Sequence, residues 1–199
     1  MEGITMNTYI MNQIKNSIET KQLILGDSGL IELINKVAQE AVQVYRRGNK
    51  TLLAGNGGSA ADAQHIAGEF VSRFYFDRPG IPSIALTTDT SVITAIGNDY
   101  GFDNLFARQV QANGVKGDMF IGISTSGNSK NVLKALEVCK EKGIISVGLT
   151  GATGGKMESL CDYCIKVPSN ETPRIQESHI LIGHIICAIV EKEIFGKGF

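Results

Sequence analysis

Apolar positions along the chain fall into two rhythms, a helical one and a shorter one of buried runs. Residues 4 to about 24 and 28 to about 47 carry apolar groups at helical spacing, the second marked by Leu30, Ile31, Leu33, Ile34, Val37, Ala38, Ala41, Val42 and Tyr45. Two long helices are therefore predicted before the first strand. Short apolar runs at Thr51–Ala54, Ser83–Leu86, Met119–Ile123, Ile144–Thr150 and Tyr163–Val167 then read as strands. Helical stretches lie between them. The first of these leaves the glycine turn after Ala54 and stops at Pro79-Gly80-Ile81-Pro82. Thr87-Thr88-Asp89-Thr90 caps a short helix through Val92, Ile93, Ala95 and Ile96, broken at Gly97-Asn98-Asp99-Tyr100-Gly101, so Asn98 and Asp99 are expected in a loop. Further helices run through Leu105–Val110, from Ser129 to Lys142-Gly143, over Met157–Leu160, and from Pro173 to roughly Phe195.

Strands alternating with helices predict an α/β fold with about five parallel strands and helices on both faces, a three-layer αβα sandwich. In such sheets ligands sit beyond the strand C-termini. The first helix carries Met6, Tyr9, Ile10, Ile14, Ile18 and Leu25, more apolar surface than one monomer covers well, and is expected to pack against another subunit.

With 199 residues, 43% of them hydrophobic, the chain is long enough for one domain with a sizeable core. The net charge of −1 hides no basic block, so neither nucleic acid nor an anionic membrane is expected as a partner. No apolar run approaches a membrane span and the first residues lack a signal pattern, from which a cytoplasmic address is expected. Cys139, Cys161, Cys164 and Cys187 include one lone CxxC without a second pair, and ordinary packing thiols are expected.

Three stretches fall at carboxyl ends of predicted strands: Asn56-Gly57-Gly58-Ser59, the Asn98-Asp99 loop, and Ser124-Thr125-Ser126-Gly127-Asn128-Ser129. The last combines hydroxyl donors, a permissive glycine and the free amides of a helix start, which together solvate a phosphate without a lysine. Ser59 stands where it can cap the following helix. Neither turn has the spacing of a Walker A or dinucleotide motif. His65 and Glu69, four apart, leave one helical face about one turn from the glycine loop. Gln176 and His184 lie on the last helix, eight residues or about 12 Å apart and roughly 80° around it. To share one ligand they must lean together along the axis or come from different subunits.

These motifs in combination resemble the sedoheptulose 7-phosphate isomerases, or phosphoheptose isomerases, of the sugar isomerase (SIS) domain superfamily, over nearly the whole length. The resemblance implies a single flavodoxin-like SIS domain over residues 1–199, with the N-terminal helices of 1–47 contributing to a homotetramer whose sites lie at subunit interfaces. It implies a sugar phosphate held by Ser124, Thr125, Ser126 and Ser129, with Asn56, Gly57, Gly58, Asn98 and Asp99 contacting it; Ser59 is added from its place at the helix start. Glu69 and Gln176 are further substrate contacts, His65, Glu69, Gln176 and His184 match the zinc positions, and Glu69 and His184 match the acid/base pair. The implied reaction converts D-sedoheptulose 7-phosphate to D-glycero-D-manno-heptose 7-phosphate by proton transfer between C1 and C2 through an enediol or enediolate. It opens the supply of heptose precursors for bacterial surface polysaccharides. A carboxylate bound to zinc is a weaker base, so Glu69 plays both parts only if its coordination changes. Two other readings stand beside it: a non-catalytic SIS scaffold of the replication-initiator-associating type, and an isomerase for a shorter phosphosugar.

Overall fold

The computed structural model describes residues 5–196; the first residue of the expected N-terminal helix, residue 4, lies outside them. Thr5 caps α1 (Met6–Gly26), its hydroxyl accepting from the Thr8 amide. Asp27 then breaks the chain into a second helix, because its carboxylate accepts from the Leu30 amide at 2.9 Å and so caps α2 (Ser28–Arg46).

Five strands follow: β1 (Thr51–Gly55), β2 (Ser83–Ala85), β3 (Met119–Ile123), β4 (Ile145–Thr150) and β5 (Tyr163–Lys166). They pair in parallel in the order β2-β1-β3-β4-β5. Alternation along the strands sorts the core into two layers. Leu53, Ile121, Ile123, Val147 and Leu149 pack with α2, α3 (Gly58–Val71) and α7 (Thr172–Phe195). Leu52, Ala54 and Phe120 face the other way, onto α5 (Leu105–Asn113) and α6 (Lys130–Lys142). The expected αβα sandwich is thus present, each strand boundary lying within one residue of its expected place.

Two helix boundaries depart from expectation. The helix after the glycine turn ends at Val71, well before Pro79, because Arg78 folds back and supplies the donors that its last carbonyls need. The Arg78 guanidinium donates to the carbonyls of Glu69 (2.8 Å) and Phe70 (2.6 Å). Asn98 and Asp99 are not in a loop but in the last turn of α4 (Thr90–Tyr100). A single glycine costs a helix only about 1 kcal/mol relative to alanine, and Gly97 is carried through; the break comes at Gly101, at φ 80°.

The first helix leaves an apolar face in solvent, Met6, Tyr9, Ile14 and Ile18 among it, while only Thr20 and Ile24 are buried. It is tied to α7 by polar contacts: Lys21 Nζ meets Glu177 Oε1 at 2.5 Å, and Arg174 donates to the Gln13 carbonyl. No described helix is long and apolar enough to cross a membrane.

Candidate active site

Strands β1 and β3 are neighbours, with Gly55 opposite Ile123, so the turns that follow them leave the sheet side by side. This is also where the strand order reverses, the place where open α/β sheets form a crevice. Neither α3 nor α6 has a side-chain cap, so the positive ends of two helices are open to an anion there, although the Ser59, Ala60 and Val132 amides already donate to the Asn56, Gly57 and Ser129 carbonyls. The Ser129 hydroxyl turns to Ser124 Oγ at 2.8 Å instead of capping α6.

The serine turn is held from behind. Thr125 O accepts from the Gly151 amide (3.0 Å), Gly127 O from Met157 (3.1 Å) and Asn128 Oδ1 from Lys156 (3.1 Å). Gly127 sits at φ +64°, and a Cβ there would run into the Gly154 carbonyl. Ser124 is buried, Thr125 and Ser129 are half-buried and Ser126 is exposed. The result is a fixed cradle of hydroxyls and amides.

Across from it, Gly57 (φ 57°, ψ −121°) is the N-cap of α3, with Gly58 next to it, both exposed. Ser59 therefore does not cap: it is the second helical residue and is buried. The Asn56 and Asn131 carboxamides exchange two hydrogen bonds of 2.9 Å, joining the glycine turn to the first turn of α6. Asn131 carried no signal in the sequence beyond its place just after the serine turn.

Helices α3 and α7 approach through Gly183, where a Cβ would stand 2.5 Å from Ile66 Cδ1. That approach brings His184 to His65, with their Nε2 atoms 2.8 Å apart and Glu69 Oε1 3.2 Å from His65 Nε2. The three residues offer ligand atoms all within 4.8 Å of one another. Two imidazoles and a carboxylate on an open face are a donor set suited to zinc with a position left for substrate. The Phe74 ring lies 5.4 Å from that of His184 and covers one side. One turn before His65, burial pushes the Asp62 carboxyl above its ordinary value, His65 offsetting part of this, and its Oδ2 has no hydrogen-bond partner among the described residues.

Gln176 stands elsewhere. Its carboxamide lies against Gly58, where a Cβ would be 2.5 Å from Nε2. Since α3 and α7 run parallel here, Gln176 meets α3 at Gly58, about two helical turns before His65. Asn98 and Asp99 are exposed on α4, with Asn98 donating to Asp99 Oδ1 at 2.8 Å. The four cysteines are free thiols; burial pushes Cys139 up to about 12 and raises the others, as packing residues require.

A doubly wound sheet with an uncapped serine turn at its reversal point defines a phosphosugar-binding α/β domain, and the family model described as SIS domain matches residues 28–151. A phosphoheptose isomerase of Aneurinibacillus thermoaerophilus is 74% identical over 98% of both chains, and phosphoheptose isomerase 2 of Campylobacter jejuni is 75% identical over 98% of this chain and 96% of its own. The solved phosphoheptose isomerase of Neisseria gonorrhoeae is 41% identical and superposes with a TM-score of 0.89, covering 94% of this chain and 100% of the other. The chain belongs to the phosphoheptose isomerase family of SIS domain proteins.

Proposed function

We propose that this protein isomerises D-sedoheptulose 7-phosphate to D-glycero-D-manno-heptose 7-phosphate in the cytoplasm, supplying heptose precursors for surface polysaccharides. The observation that carries the reading is the meeting of His65, Glu69 and His184 in an SIS domain whose serine turn is intact. Ser124, Thr125, Ser126 and Ser129 hold the phosphate, and Asn56, Gly57, Gly58, Ser59, Asn98 and Asp99 line the sugar. Glu69 accepts the C1 proton of the ketose, and its electron pair forms the C1–C2 double bond while His184 protonates the C2 oxygen. Glu69 then returns the proton to C2 as His184, having given its own to O2, takes the O1 proton and the C1 carbonyl forms. Zinc held by His65, Glu69 and His184, with Gln176, would polarise the carbonyl and stabilise the developing oxyanion.

The separation of Gln176 from the other three supports a homotetramer with sites at subunit interfaces, because a neighbouring copy can present its Gln176 where this chain's own falls two turns short. The single SIS domain would use residues 1–47, with the exposed face of α1, for that assembly. The non-catalytic scaffold is disfavoured by the assembled His–Glu group, and the shorter-sugar isomerase by the names of the relatives.

The test is to incubate purified protein with sedoheptulose 7-phosphate and follow aldose formation, with and without a chelator. Aldose formation that falls on chelation and returns with zinc is expected. Folded protein that forms no aldose with metal present overturns the reading.

A further inference from the structure

The Asn56–Asn131 pair joins two turns that come from different strands. Asn56 follows β1 and Asn131 lies in the first turn of α6, just past the serine turn of β3. Each carboxamide gives one N–H and takes one at its oxygen, both at 2.9 Å. In this closed arrangement, flipping either amide sets N–H against N–H and oxygen against oxygen, so the orientation of one fixes the other. Asn131 is only 2% exposed, whereas Asn56 is half-buried. An amide uses one of its two N–H groups and one of two oxygen lone pairs in such a pair. Asn56 keeps the second of each for a ligand.

We infer that Asn131 is a positioning residue for sugar phosphate binding, orienting the Asn56 carboxamide and locking the glycine turn to the serine turn so that both present their donors at a fixed separation. This rests on the phosphosugar reading above. Asn131 touches no substrate itself; it acts through Asn56. Preorganised donors lose less freedom on binding than mobile ones, which is why a buried residue behind the site changes affinity.

The test is a double-mutant cycle on binding, not turnover. Sedoheptitol 7-phosphate, the reduced polyol that cannot isomerise, is titrated by calorimetry into wild-type protein, Asn131→Ala, Asn56→Ala and the double variant, with thermal melting of each. Each single variant is expected to bind about tenfold more weakly, the scale of one or two lost hydrogen bonds, and the double variant to bind within twofold of Asn56→Ala. Asn131→Ala binding within twofold of wild type, even with a lowered Tm, overturns the inference, because the pair is then only structural. A double variant about tenfold weaker than Asn56→Ala overturns it too, because Asn131 then acts by another route. Turnover of sedoheptulose 7-phosphate by wild type, assayed alongside, reports on the isomerase reading separately; wild type that fails to bind the polyol overturns the inference, and wild type that also fails to turn over the ketose overturns both.

Discussion

Arg78→Met should unfold this protein far more easily than its single charge suggests. Arg78 and Glu191 side chains are 2% and 1% exposed and meet at 3.0 Å. The same guanidinium donates to the carbonyls of Glu69, Phe70, Ser72 and Pro79. Glu191 also accepts from the Phe74 and Tyr75 amides at 2.8 and 2.7 Å, holding the segment that lays Phe74 beside His184. Removing one partner of a buried ion pair leaves the other charge uncompensated and costs about 3–5 kcal/mol. That is a large part of the roughly 5–15 kcal/mol by which a domain is stable. At about 2–4 °C per kcal/mol for a chain of this size, Tm should fall by about 6–20 °C.

The measurement is thermal unfolding by far-UV circular dichroism between pH 7 and pH 4. Burial works to raise the Glu191 carboxyl, but the Phe74 and Tyr75 amides and Arg78 together hold it below its ordinary value. Its contribution is therefore present above the unfolded carboxylate pKa and is lost as pH falls through the lowered folded value. In Arg78→Met the charged form keeps the two amides but has lost its counter-charge, so protonation on acidification relieves it. The gap between variant and wild type should narrow toward pH 4. Arg78→Met/Glu191→Gln, which keeps an acceptor for the two amides but no charge, should recover at least half of the loss. A gap under 3 °C at pH 7, or one that widens on acidification, would refute this account.

Glu69→Gln and His184→Gln should each lower turnover at least about 100-fold, the scale of general acid–base catalysis, while sugar phosphate binding by calorimetry stays within a few fold; near-normal turnover in either variant removes its assigned role. Gly127→Ala places a methyl group on the Gly154 carbonyl at a left-handed φ, and phosphate-dependent binding should be lost with a reduced Tm; retained affinity would show that the serine turn is not the cradle. Ile14, 56% exposed on α1, changed to Asp should reduce the mass seen by static light scattering below that of a tetramer; an unchanged mass would place the assembly surface elsewhere.

The pattern of apolar runs was enough to define the sheet, its parallel pairing and the two layers of helices, because strand and helix periods differ and a parallel sheet must be covered on both faces. The serine turn was legible too, since hydroxyls, glycine and helix start are contiguous in the chain. Elements set by distant side chains were not. The end of α3 depends on Arg78 reaching back to Glu69 and Phe70, and α4 runs through Gly97 because one glycine does not stop a helix.

The sequence by itself determined the family motifs and the i, i+4 pairing of His65 with Glu69, both local matters of spacing. Only the tertiary structure decided that His184 joins them across 119 residues, because Gly183 lets α7 close on Ile66. It also set the Gln176 carboxamide against Gly58 and brought His65, Glu69 and His184 together. It paired Asn56 with Asn131 through strands adjacent in space but separated in sequence. Helical spacing fixes which side chains share a face; only packing fixes what that face meets.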